Sequence, residues 1–90
     1  MWVTCVMHVE FFGVPRHCAG VPKLEIQADT LGQLLRKLAA QMPALAQFIA
    51  MDQLHSAFVA NLNGDRFVSD PLTLLLDDDC VIILSADAGG

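Results

Sequence analysis

Basic residues are scarce in this sequence: five Lys and Arg stand against ten Asp and Glu, for a formal charge of −5. That is the wrong sign for nucleic acid or anionic lipid, so neither is expected as a partner, and a protein or ligand with basic patches fits better. No apolar run approaches the roughly 18 residues that suggest a membrane span. Met1 to Phe12 is apolar but carries His8 and Glu10, and it lacks the basic n-region and small-residue cleavage site of a secretory signal. The three cysteines, Cys5, Cys18 and Cys80, are odd in number and form no C-x-x-C pair. A disulfide framework or zinc knuckle is therefore not indicated, and reduced thiols in a cytoplasmic protein are the expectation. There is no phosphate-binding glycine loop and no nucleophile motif, and His8, His17 and His55 are scattered without ligand spacing. Asp77-Asp78-Asp79 lacks the alternating ligands of a calcium loop and reads as a solvated turn. These absences point away from an enzyme with its own catalytic centre, metal or bound cofactor.

What the chain does have is apolar residues: 54% of the 90, with a mean hydropathy of +0.50. A chain of this length makes one domain and buries about 60 to 65% of its unfolded surface, so some apolar area is left for a partner. From Val3 to Phe12, Val3, Cys5, Met7, Val9 and Phe11 alternate with a more polar set, the period of a strand. The stretch Gly13 to Pro22 reads as a loop, and Lys23 to Ala28 alternates again with Leu24 and Ile26 inward, completing a hairpin. Thr30-Leu31-Gly32-Gln33 matches a capping box, and Leu31, Leu34, Leu35, Leu38 and Met42 recur at helical spacing, which predicts a helix from Leu31 to Met42. Pro43 stops it, and Ala44 to Met51 is expected to form a further short helical segment.

Phe58, Ala60 and Leu62 alternate with Val59 and Asn61 as far as Asn63-Gly64, a dipeptide suited to the positive φ angles of a tight hairpin, and Arg66 to Val68 returns. Leu72 to Leu76 is ambiguous between strand and helical turn. Cys80 to Ser85 is β-branched and apolar throughout, the pattern of a central strand buried on both faces, with Cys5 and Cys80 acting as small hydrophobes. Cys18, in the loop beside His17, is the one candidate for a reactive thiol. Ala86-Asp87-Ala88-Gly89-Gly90 offers few side chains to anchor it, so residues 1–85 are expected to form the domain and 86–90 a flexible tail.

Val9-Glu10-Phe11-Phe12-Gly13, Thr30-Leu31-Gly32-Gln33-Leu34-Leu35, Asn61-Leu62-Asn63-Gly64 and the run from Asp77 through Ile83 to Gly89-Gly90 occur in the order seen in MoaD/ThiS-type sulfur carriers, which the chain resembles. The resemblance implies an α+β, ubiquitin-like β-grasp fold, a mixed sheet with one main helix packed across it. It also implies that Gly90 is adenylated by a ubiquitin-activating-type enzyme and then thiocarboxylated. Ala88 and Gly89 would pass through that partner's channel. No cofactor would be bound here, because ATP is consumed by the activating partner. The other implied partners are a sulfur donor and a synthase large subunit or another sulfur-accepting enzyme, as in molybdopterin (molybdenum cofactor) biosynthesis. Where the family has Asp-Gly-Asp this chain has Asp77-Asp78-Asp79, and Asp tolerates the left-handed conformation better than most residues.

Two readings beside the carrier stay open: a ubiquitin-like modifier joined to lysine through Gly90, and a β-grasp interaction module without chemistry. Among carriers, cysteine, thiamin or tRNA thiolation could be served instead of molybdopterin, the thiamin subfamily being disfavoured by the length of Pro43 to Ala57. Because β-grasp proteins dock through the exposed face of the sheet, Phe12, Phe58 and Phe67 are the candidates for an apolar contact patch.

Overall fold

In the computed structural model, which describes residues 6–86, the elements follow in the order β1 (Val6–Phe11), α1 (Val14–Ala19), β2 (Lys23–Gln27), α2 (Leu31–Gln41), α3 (Pro43–Ala46), β3 (Ile49–Ala50), β4 (Gln53–Leu54), β5 (Phe58–Leu62), β6 (Arg66–Val68) and β7 (Cys80–Ser85). The period-two pattern of β1 buries Met7, Val9 and Phe11 completely and leaves His8 and Glu10 on the other face. β1 pairs antiparallel with β2, with Met7 opposite Ile26, and parallel with β7, with Val9 opposite Val81. β5 lies antiparallel to β7, with Ala60 opposite Ile83, and β6 closes the far edge, which gives a five-stranded mixed sheet in the order β2-β1-β7-β5-β6.

Leu31, Leu34, Leu35 and Leu38 of α2 are fully buried against one face of that sheet. The helix starts where the capping box predicts: Thr30 Oγ1 accepts from the Gln33 amide at 3.2 Å. The reciprocal bond is displaced by one residue, because Gln33 Oε1 accepts from the Asp29 amide instead, at 2.6 Å. One helix across a mixed sheet is the ubiquitin-like β-grasp fold that the resemblance implies.

Three segments depart from the sequence reading. Gly13 to Pro22 holds the helix α1, too short for periodicity to reveal. It is entered through Pro15, whose fixed φ suits a first turn, and ended at Gly20 with φ 77°. The helical segment expected over Ala44 to Met51 stops at Ala46, and the chain then forms the β3–β4 hairpin, turning at Met51 and Asp52 with φ 53° and 61°. This turn lacks the glycine that would have advertised it. Arg36 of α2 holds it instead, donating from Nε and Nη2 to the two carboxylate oxygens of Asp52 at 3.1 and 2.5 Å. Those hydrogen bonds, with the adjacent positive charge, set the Asp52 carboxyl below its ordinary range. Finally, β7 is central as expected but is not buried on both faces. Val81 and Ile83 are in the core, whereas Cys80, Ile82 and Leu84 are only partly covered, since the helix layer lies on one side.

The Asn63-Gly64 turn has both residues at positive φ, 60° and 72°. Asp78 occupies the left-handed region as well, at φ 68°. Its neighbours hold the turn closed: Asp77 Oδ1 accepts from the Val6 amide at 3.0 Å, and Asp79 accepts from Asn63 Nδ2 at 3.0 Å and from the Leu76 amide at 2.8 Å. Asp78→Gly should relieve the Cβ penalty and stabilise the fold by roughly 0.5 to 1 kcal/mol, raising Tm by a few degrees in a thermal melt. A lower Tm would show that the exposed approach of Asp78 to His8, at 3.7 Å, outweighs the backbone strain.

Candidate functional site

The residue that the resemblance implies to be modified lies beyond the end of β7 in the sequence, and the structure shows what surrounds the base of that segment. The Ala86 amide donates to Ala57 O at 2.8 Å, carrying the β5–β7 ladder one residue past the strand. On the other side the Phe12 amide donates to Ile83 O at 3.0 Å. Gly13 follows at φ 67°, and a Cβ built there would lie 3.3 Å from Ser85 Oγ. The central strand thus leaves the sheet between two hydrogen-bonded neighbours. Ala88, Gly89 and Gly90, the residues expected to enter a partner and carry the chemistry, lie outside the described residues.

Register assigns the side chains of the uncovered sheet face. Val59 opposes Leu84, and Asn61 opposes both Ile82 and Phe67, so these five share that face. Phe12 joins them, one residue past Phe11, which opposes Ile83 and points inward. Phe12 is 45% exposed and Phe67 56% exposed, which makes both available for contact. Phe58 is not available: it is 5% exposed and stacks on Phe48 with centroids 4.3 Å apart. Its place in β5 turns it toward the helices, so the contact role expected of it is corrected to a core role. Ile82 and Leu84 replace it on the open face. Their alternation along β7 was visible in the sequence, but nothing there said which alternate set would be uncovered.

Farther from the base of the tail the same face becomes polar. His8 lies between Glu25, at 3.8 Å, and Asp78. Cys80 Sγ approaches Glu10 Oε2 at 3.0 Å. Burial, followed by the hydrogen bond and negative charge of Glu10, pushes the Cys80 thiol up to about 11. Cys18 packs partly buried against the core, and Cys5 lies outside the described residues. At pH 8 native Cys80 should be alkylated by iodoacetamide roughly a hundredfold more slowly than in the urea-unfolded chain, because so little thiolate is present. Peptide mapping of the label checks this, and equal rates would show that the thiol is neither buried nor held by Glu10. Among the described residues no cluster of three or more His, Cys, Asp or Glu could hold a metal ion. No helix among them is long and apolar enough to cross a membrane.

The ThiS family model matches residues 9–90. No curated protein matches the chain significantly. Among solved structures, the small archaeal modifier protein 1 of Methanosarcina acetivorans is 26% identical, with 99% of this chain and all of that one covered at a TM-score of 0.78. The complex of subunits 1 and 2 of the molybdopterin-converting factor of Helicobacter pylori matches at 24% identity, with 94% and 99% covered and a TM-score of 0.65. The BexX/CysO complex of Amycolatopsis orientalis matches at 21% identity, with 93% and 99% covered and a TM-score of 0.74. The last two likenesses bear on the fold alone.

Proposed function

The chain belongs to the ThiS family, and from that premise we propose that it is a sulfur carrier whose Gly90 carboxylate is first adenylated and then thiocarboxylated. One observation carries the reading. The central strand of the sheet runs directly into a segment ending Gly89-Gly90, and an apolar face of Phe12, Val59, Ile82, Leu84 and Phe67 is left uncovered beside its base. The first of these supplies the reacting group and the second a surface on which an enzyme can hold the domain.

A carboxylate resists nucleophilic attack because its charge is delocalised and oxide does not leave. Activation has to precede sulfur transfer. A Gly90 carboxylate oxygen attacks the α-phosphorus of ATP, pyrophosphate departs, and a sulfide-level sulfur nucleophile then displaces AMP from the acyl carbon. ATP, the sulfur donor and all catalytic groups belong to partners, so this chain is a cosubstrate rather than a catalyst. Five residues from Ala86 to Gly90 reach at most about 17 Å, and the two glycines, lacking Cβ atoms, fit a narrow channel. The Helicobacter and Amycolatopsis proteins that share the fold are each named in a two-protein complex, and a partner enzyme is proposed for this chain on that pattern. The partners are an adenylating enzyme of the ubiquitin-activating type and then a sulfur-accepting enzyme. A molybdopterin-synthase large subunit is the first candidate for the second role, and all of them would meet the chain in the cytoplasm.

The likeness to a small archaeal modifier protein favours a second reading, in which activated Gly90 is joined to a lysine amine. One incubation separates the two. With a cognate adenylating enzyme, ATP and a sulfur donor, the intact protein should gain the mass of one oxygen replaced by sulfur, mapped to Gly90. Recovery only of a lysine conjugate, with no sulfur-bearing form, would establish the modifier.

A further inference from the structure

The segment that the sequence left undecided, Leu72 to Leu76, carries apolar surface that neither the core nor the tail uses. Leu75 points inward and is buried, whereas Leu72, Leu74 and Leu76 point outward and are 78%, 71% and 67% exposed. Leu72 sits in the turn closed by the Thr73 amide on Asp70 O at 2.9 Å, and the chain is extended from Thr73 to Leu76. It runs antiparallel beside the start of α2: the Leu31 amide donates to Thr73 O and the Leu75 amide to Asp29 O, both at 2.9 Å, with Leu74 opposite Thr30. In such a pair the amide and carbonyl of Leu74 itself are directed away from Thr30. Among the described residues neither has a partner. The edge is open at Leu74, flanked by Leu72 and Leu76, whose amides donate to Asp70 Oδ1 at 2.9 Å and Asp79 Oδ2 at 2.8 Å.

Charge decides what fits there. Asp29, Asp70, Asp77 and Asp78 are exposed around the edge, and no Lys or Arg occurs in residues 24–35 or 67–86. A second copy is a poor occupant. Antiparallel self-pairing centred on Leu74 would bring Asp70 of one copy beside Asp78 of the other, and facing like charges destabilise a strand pair. We propose that Leu72 to Leu76 is a docking edge for an extended segment of a partner protein that alternates apolar residues and is flanked by basic ones. Backbone pairing at Leu74 supplies the register, the leucines the apolar contact, and the aspartates the selection for basic flanks. The Leu76 end of this edge adjoins the turn that leads into β7, at the end of that strand opposite the tail. A partner centred on Leu74 does not use the tail itself, so an accepting or tethering protein can be bound while Gly90 reacts elsewhere. The site stands whether or not Gly90 is activated.

The test is an NMR titration of the full chain with a capped peptide bearing three alternating valines between pairs of lysines, compared with a counterpart carrying glutamates for the lysines. The lysine peptide should shift the amides of residues 72–76, protect the Leu74 amide from exchange, and weaken several-fold as salt is raised. Leu72→Thr, Leu74→Thr and Leu76→Thr combined should lose about tenfold or more in affinity with unchanged shifts in the core, since all three side chains face solvent. Equal binding of the glutamate peptide, no binding, or shifts confined to Phe12, Ile82 and Leu84 would overturn the proposal. So would concentration-dependent self-association through residues 72–76, or nuclear Overhauser contacts from Trp2 to these leucines in the free chain, which would show the chain's own N-terminus occupying the edge.

Discussion

Deleting Gly90 is expected to abolish adenylation and thiocarboxylation while leaving the unfolding transition where it is in the intact protein. The truncated chain ends in Gly89, about 3.3 Å short of the position the Gly90 carboxylate reaches, and a misplacement of 1 Å already costs roughly a hundredfold in rate. Ala86 is held by Ala57 and the inward side chains nearest the end are those of Val81 and Ile83, so losing the last residue removes nothing from the core. Intact-mass measurement after incubation with the adenylating enzyme, ATP and a sulfur donor, beside a thermal melt of the same sample, reads both halves. Thiocarboxylation of the truncated chain at the full-length rate would remove Gly90 from the mechanism and leave the carrier assignment without its reactive group.

The second large effect separates two phenylalanines that composition treats alike. Phe58→Ala should cost about 3 to 5 kcal/mol, because it empties a buried site stacked on Phe48. That is a large share of the roughly 5 to 15 kcal/mol that a domain has, and Tm should fall by more than about 10 °C. Phe67→Ala, at a residue 56% exposed, should change stability by less than about 1 kcal/mol. It should instead weaken binding to the adenylating or sulfur-accepting enzyme by about tenfold, as expected of an aromatic contact on an apolar face. Denaturant titration and binding measured on the same two variants discriminate the roles. A large loss of stability in Phe67→Ala with no effect on binding would reverse the assignment of the two faces.

Much of the fold was legible because its signals are local. The spacing of Leu31, Leu34, Leu35 and Leu38 and the cap at Thr30 require only residues within a few positions of one another, and α2 forms where they predict, with Met42 as its C-cap rather than its last residue. Asn63-Gly64 turns as expected because the preference for positive φ belongs to those residues themselves. Asp78 is the more telling case. The resemblance identified a position where the family has glycine, and the backbone at Asp78 keeps the left-handed conformation without it. The chemistry proposed for Gly90 was drawn from sequence and resemblance together, and it still rests on them.

What the sequence by itself determined is therefore the five strands of the main sheet and the main helix, their inward faces where apolar and polar residues alternate, and the order that leads to Gly89-Gly90. Tertiary structure decided what local pattern leaves blank. β7 is apolar at every second position in both registers, so period alone cannot say which face the helices cover, and only their packing on Val81 and Ile83 leaves Ile82 and Leu84 open. The same packing sends Phe58 into the core and leaves Phe67 outside. The Met51-Asp52 turn is held by Arg36, sixteen residues away in the chain. The leucines at 72, 74 and 76 are set on an open edge by bonds from residues 71–75 to residues 29–32. In each case the deciding contact joins residues far apart in sequence, and such contacts exist only once the chain has folded.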